Sequence, residues 1–358
     1  MHVHLVLPGL LWPAKALHDT AFDLELPALA RFFSRGRSAW LPPLAVEDWL
    51  CREFLLSTGE TPAAALRLHG EGGNAGSGYW LCADLTHLRF QQGHLTLAGA
   101  ALVIAPAELR QIAEAVSAHL ARHLPGFAEF VATSEHGHAY LRVNCLPQIT
   151  TAPLSTALGR SIQEALPSGP EAALWTRLGN ELQMLLHALD LNREREALEL
   201  PSVNNLWFWG AGKLPERAAD TEKQYDTIFA STHATTISNR ALLKGIAAWT
   251  GMPMQALPDS SAQLLRGDKV GRMGRTLIFE DALLLPAQDL DAQAWRDGLA
   301  AIERDWLAPL AAALLSGRIE GLRISALGEE ASLDLHIRRR DLLKFWRRPV
   351  ALTRIAPP

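Results

Sequence analysis

Apolar positions recur along the chain with two different periods. Residues 3–7 form a short apolar run stopped by Pro8-Gly9, the pattern of a buried strand. Residues 26–36 (LPALARFFSRG) repeat apolar side chains every three to four positions and end on Gly36, which predicts a helix with a glycine at its C-terminal cap. Residues 46–56 (VEDWLCREFLL) keep the helical period. Gly70, Gly72, Gly73, Gly76 and Gly78 then crowd together, marking a flexible connection and a candidate domain boundary.

The block that follows has its own rhythm. YWLCADL and HLTLAGA read as strands around a Gln91-Gln92-Gly93 turn, residues 105–124 form the clearest amphipathic helix, and GFAEFVAT and AYLRVNCL read as two more strands. Strand, strand, helix, strand, strand is a compact α+β unit, read here as a subdomain inserted at 69–149. Beyond it a helix is predicted over 170–189, a strand at VNNLWFWG, a helix over 236–249, and strands at MPMQAL and RTLIFEDALLL. A long helix over 291–315 and strands at GLRISAL and SLDLHIR complete the chain. Apolar strands separated by helices predict an α/β core, 1–68 with 150–358, built on a mostly parallel sheet with helices on both faces. In such sheets ligands bind at the carboxyl ends of strands.

Composition narrows the function classes. The chain has 358 residues, 48% hydrophobic and 20% charged, which excludes disordered, collagen-like and coiled-coil chains. Its formal charge of -4 makes nucleic acid an unexpected partner. Cys51, Cys82 and Cys145 lie far apart, in neither disulfide nor zinc spacing, as a reducing compartment favours. The N-terminus lacks the pattern of a signal peptide, and no stretch approaches ~20 consecutive apolar residues. A cytoplasmic protein with no membrane partner is the expectation.

Several strings carry a family resemblance. The segment LTLAGAALVIAPAELRQIAEAVSAHL, the stretch GPEAALWTRLGNELQMLLHALDLNRERE, ISNRALLKGIAAWTGMPMQALP and the closing IERDWLAPLAAALLSGRIEGLRISALGEE occur in collinear order. SVNNLWFWGAGKLP is the most distinctive, with Asn204, Trp207, Trp209, Gly210 and Gly212 in an Asn-x-x-Trp-x-Trp-Gly-x-Gly pattern. Together they resemble the archaeal-type cofactor-independent phosphoglycerate mutases of the alkaline phosphatase superfamily. Over the whole length the chain also resembles proteobacterial regulatory proteins of the RpfE type, through LVLPGLLWP, EDWLC, NELQMLLH, VNNLWFWGAG and FWRRP. The resemblance implies an alkaline-phosphatase-like core with an inserted domain.

The mutase resemblance also implies two divalent metals held by Asp and His, and a serine that carries the phosphoryl group. The corresponding positions differ here. Pro8 replaces the Asp before Gly9. The serine position falls at Leu50, beside Cys51. Asp259-Ser260-Ser261 lacks the family's glycine-rich run, residues 278–285 lack both histidines, and the final Asp-His pair falls near Leu327-Gly328, with Glu329 and Glu330 the nearest acids. The expectation is a degenerate scaffold with no catalytic residue, no metal ligand and no cofactor, binding a small anionic ligand or a protein partner. The rival is an active mutase or phosphatase with displaced ligands. A third reading is a nucleic-acid-binding regulator.

The residues offer several binding candidates. Around Trp207 and Trp209, Gly210 and Gly212 permit close backbone approach and Lys213 adds positive charge. Arg240 and Lys244, four apart on a predicted helix, would complete an anion pocket. The alternative is a strand end whose tryptophans pack the core. Cys51 is a candidate nucleophile, but Glu47, Asp48 and Glu53 around it oppose a thiolate and Arg52 alone favours one. His2 and His4 face one side of a strand, a possible metal pair without a third ligand, while His136 and His138 flank Gly137 in a predicted solvent-exposed hairpin turn. The C-terminal Arg338, Arg339, Arg340, Lys344, Arg347 and Arg348 face one acid, Asp341, with Leu342, Leu343, Phe345 and Trp346 interleaved. That run suits phosphate groups, nucleic acid or an acidic partner, or else is a solvated basic face whose apolar side docks on the domain.

Overall fold

The computed structural model describes residues 1–54, 61–91, 93–98, 102–133, 137–215, 235–238, 240–266 and 274–355, without the side chains of residues 14 and 15. His136 of the sequence candidates lies outside them. Strands in chain order are β1 (His2–Pro8), β2 (Arg37–Leu41), β3 (Tyr79–Thr86), β4 (Leu88–Gln91), β5 (His94–Leu97), β6 (Ala128–Thr133) and β7 (His138–Val143). They continue as β8 (Asn205–Gly212), β9 (Thr235–Ile237), β10 (Met254–Gln255), β11 (Arg275–Phe279), β12 (Gly321–Leu327) and β13 (Ser332–Arg338). The chain divides into two compact units, Met1–Val46 with Arg217–Arg240 and Thr250–Pro358, and Glu47–Glu216 with Ala241–Trp249.

The first unit holds a seven-stranded sheet in the order β10-β9-β11-β1-β12-β13-β2, parallel except where β13 pairs with β12 and β2. Alternation along β1 sends Val3, Leu5 and Leu7 into one core with Ile278, Ile324 and Leu335. Helix α1 (Ala14–Ala21), helix α2 (Pro27–Arg35) and the helix Ala292–Ile302 contribute Leu17, Phe32 and Trp295 to that core. Each fully enclosed leucine contributes about 1.5–3 kcal/mol. Leu26 cannot cap α2, so the buried carboxylate of Glu303 accepts the N–H groups of Ala28 (2.5 Å) and Leu29 (3.1 Å) instead. Gly36 ends α2 in extended backbone, its N–H on the Phe32 carbonyl at 2.8 Å.

The predicted helix over 291–315 is interrupted by a π-helical turn, Glu303–Leu307, before Ala308–Leu315. Pro309 is the reason: it has no N–H to offer the carbonyl four residues back. The Ser261 hydroxyl lies 3.1 Å from the Asp305 carbonyl and 3.0 Å from that of Trp306, and donates in this gap.

The second unit holds an antiparallel sheet, β6-β7-β3-β8, and a β4–β5 hairpin. Helix α3 (Val46–Glu53), helix α4 (Ala63–Gly70) and helix α5 (Pro106–His123) precede, enter and cross this unit. Ile112, Val116 and Leu120 of α5 pack with Leu81, Leu141, Phe208 and, from the helix Ala172–His187, Trp175 and Leu182. Two sequence readings need correction. The VNNLWFWG strand, β8, pairs antiparallel with β3 and not within the parallel sheet. The Gly70–Gly78 stretch lies inside this unit, and Gly70 packs so tightly on Gly245 that a Cβ would come within 2.3 Å of the Gly245 nitrogen.

Candidate ligand site

Helix α4 drives a guanidinium into the second unit. Arg67 is buried and donates to Asp84 of β3 through both terminal nitrogens, at 3.1 and 2.7 Å, and through Nε to the Tyr140 hydroxyl at 3.0 Å. Trp209 of β8 donates its indole N–H to the same Asp84 at 2.6 Å. Tyr140 donates on to Glu71 at 2.8 Å, and His138 Nδ1 meets the other Glu71 oxygen at 2.5 Å. Burial opposes the Arg67 charge, but Asp84 outweighs it and holds the guanidinium protonated. Every charge in this chain of contacts has a partner, and Trp209 is thereby locked in one orientation.

Trp209, Gly210 and Ala211 line a cleft of about 380 Å³, facing Glu47, Asp48 and Arg52 of α3, with Thr61, Thr150, Thr151 and Pro153. Thr61 donates to Asp48 at 2.8 Å, and Ser155 donates to the buried Glu47 at 2.5 Å. The cleft offers three hydroxyls, two carboxylates, one guanidinium and an indole edge. It suits a small polar molecule better than a bare anion.

The sequence candidates separate here. Trp209 and Gly210 line the cleft. Trp207 is buried, its indole N–H on the Ala152 carbonyl at 2.9 Å. Asn204 clamps the start of β4, accepting from the Leu88 N–H at 2.6 Å and donating to its carbonyl at 2.9 Å. Gly210 has φ +65, and a Cβ there would lie 2.8 Å from that of Ala63; one on Gly212 would lie 2.6 Å from that of Pro62. These glycines therefore admit α4. Lys213 is exposed and Lys244 half-buried, and neither lines the cleft. Arg240 belongs to the first unit, precedes the helix Ala241–Thr250 and pairs with Asp281 at 3.0 Å, so it shares no helix face with Lys244.

Other candidates take structural positions. Cys51 is buried, and burial first, then Asp48 and Glu47, push its thiol up to about 12 against the Thr61 hydroxyl. It is no nucleophile at neutral pH. His4 lies 2.8 Å from Ser325, which donates to Asp334 at 2.5 Å, while His2 meets Glu320 at 3.2 Å. His138 sits in β7 and not in a solvated turn. Arg338, Arg339, Arg340, Arg347 and Arg348 are exposed, and Lys344 is half-buried on Asp341 at 2.6 Å.

At the strand ends where the mutase resemblance implies two metals, the described residues are engaged in other contacts. Pro8 pairs with Leu327, and Gly9 has φ +80 with the Leu283 carbonyl 2.4 Å from where a Cβ would lie. Glu280 accepts the Ala282 N–H at 3.0 Å, Asp281 is taken by Arg240, and Leu50 is fully buried. Ser260 caps the helix Ser261–Leu265, its hydroxyl accepting the Gln263 N–H at 3.3 Å. Among the described residues no group of three or more His, Cys, Asp or Glu side chains is placed to hold a metal ion.

No family model matches the chain. Over 149 residues, 42% of the chain, it is 25% identical to the 2,3-bisphosphoglycerate-independent phosphoglycerate mutase of Methanothrix thermoacetophila, and the match spans 36% of that protein's length. The PH0037 protein from Pyrococcus horikoshii superposes with a TM-score of 0.53 at 12% identity, covering 96% of this chain and 92% of that one. Cofactor-independent phosphoglycerate mutase from Thermoplasma acidophilum superposes with a TM-score of 0.45 at 16% identity, covering 94% and 89%. In sequence the chain is thus a remote relative of these mutases, with a mixed α/β fold on a mostly parallel sheet. No described helix is long and apolar enough to cross a membrane.

Proposed function

We infer that this chain is a catalytically degenerate, phosphoglycerate-mutase-like protein with an alkaline-phosphatase-like core, acting in the cytoplasm as a ligand- or partner-binding regulator. The reading is supported by the mutase resemblance, whose register sets Pro8 and the buried Leu50 at the positions of a metal ligand and of the nucleophile. Neither side chain has an atom for the task, and fold similarity does not carry chemistry across such a change. The strings shared with RpfE-type proteins support the regulatory half. The ligand assigned to the cleft is a small hydroxylated anion, its charge on Arg52 and its hydroxyls on the threonines and on Glu47 and Asp48.

A second reading, an active metal-dependent mutase or phosphatase with displaced ligands, rests on Glu47 and Asp48 meeting in one cleft. One experiment separates the two. Purified protein is loaded with Mn²⁺, freed of excess, and assayed for bound metal and for interconversion of 3- and 2-phosphoglycerate. The degenerate reading expects no retained metal and no turnover. About two retained equivalents with turnover would replace it by the enzyme.

A further inference from the structure

The end of the first unit turns its apolar side chains outward. Leu342 is buried, but Leu343 is 59%, Phe345 82% and Trp346 67% exposed. The expectation that the apolar side of this run docks on the domain therefore fails for three of its four members. The loop is nevertheless held in place. Arg35 donates to the Leu342 carbonyl at 2.5 Å, Lys344 is tied to Asp341, and the Val350 N–H reaches the Ala30 carbonyl at 3.2 Å. Its backbone is held on α2, while Phe345 and Trp346 meet edge to face at 5.3 Å and stay exposed.

Arg338, Arg339, Arg340, Arg347 and Arg348 flank these rings and are exposed, whereas the one acid of the segment, Asp341, is buried. We propose that this loop is a contact site for the surface of an anionic phospholipid bilayer. Arginine stems and an interfacial tryptophan suit the boundary between headgroups and acyl chains, and guanidinium groups pair with lipid phosphates. The observations favour a bilayer over single-stranded nucleic acid on two counts. Leu343 has no flat face for a base, and the edge-to-face pair is not a stacking platform. A surface contact needs no spanning helix, so the expectation of no membrane partner, drawn from the lack of a span, does not bear on it.

The test is flotation of the full chain with vesicles of phosphatidylcholine alone and of phosphatidylcholine with phosphatidylglycerol. A single-stranded oligouridine is titrated in parallel. The proposal expects flotation with the anionic vesicles at low salt, weakening as salt screens the charges. F345A/W346A should lower the partition at least about tenfold with an unchanged thermal midpoint. R340Q/R348Q, which leaves the rings in place, should lower it and flatten its salt dependence. Failure to float, equal flotation with neutral vesicles, indifference to both variants, or binding of the oligouridine without flotation would overturn it.

Discussion

The two sheets bury their polar side chains by opposite arrangements. In the second unit the Arg67 guanidinium is enclosed on all sides, and Asp84, Tyr140 and Trp209 close around it. In the first unit a polar row runs across adjacent strands from His4 through Ser325 to Asp334, and Arg323 meets Asp334 at 2.6 Å on its half-exposed side. His4 and Ser325 lie deepest, and Asp334 and Arg323 lie nearer water. A row graded in this way tolerates loss of an outer member, because water can replace it. An enclosed ion pair cannot, since removing one partner strands the other charge.

The largest effect expected from that difference is at Asp84. Asp84→Ala leaves Arg67 charged and buried, at a cost of about 3–5 kcal/mol in urea unfolding. Asp84→Leu combined with Arg67→Met should recover most of it, since an apolar pair of similar volume has no stranded charge. A loss under about 1 kcal/mol for Asp84→Ala would place water beside Arg67 and end the contrast. Gly245→Ala tests the backbone contact beside the network. A Cβ there would lie 1.8 Å from the Leu66 carbonyl oxygen, so α4 must shift, at about 1–3 kcal/mol or more. In the first unit, Ser325→Ala deprives His4 and Asp334 of their shared hydroxyl. About 1–3 kcal/mol is expected, toward the lower end because Asp334 keeps Arg323.

The same contrast explains what could be read along the chain. β1, β12, β13 and α5 follow from periodicity alone, because each has one distinct face or a short run bounded by turn residues. Helix α4 does not. Its residues 63–68 are buried all round, so TPAAALRLHG shows no apolar stripe, and the glycines after it suggest a loop. β8 was legible as a strand but not as a member of the antiparallel sheet. A continuous apolar run looks the same wherever both faces are covered. The cleft was half legible: Trp209 and Gly210 stood out, but Arg52, Thr61 and Thr150 come from separate segments that local pattern cannot join. The exposed Phe345 and Trp346 were misplaced for a related reason. Apolar residues among arginines predict a docked face, and nothing local shows that α2 occupies the polar side instead.

The smallest expected effect is also the one that separates the units by sign. Burial pushes the Glu71 carboxyl up, but His138, Tyr140 and Arg67 outweigh it and hold it below its usual value. Its contribution to stability is therefore present above the unfolded pKa and lost as pH falls through the folded one. Glu303, at the N-terminus of α2, is the reverse. Burial pushes it up, and the Ala28 and Leu29 N–H groups and Arg31 only partly offset the rise. Its contribution is complete below the unfolded pKa and lost as pH rises through the folded one. Both amide variants should be less stable than the parent. On acidification from pH 7 toward about 4, the deficit of Glu71→Gln should shrink while that of Glu303→Gln grows, each by under about 1 kcal/mol. Urea unfolding of the parent and the two variants across that range measures the trends. If both deficits move in the same direction, the two carboxylates share one environment, and the contrast between the units does not extend to their charges.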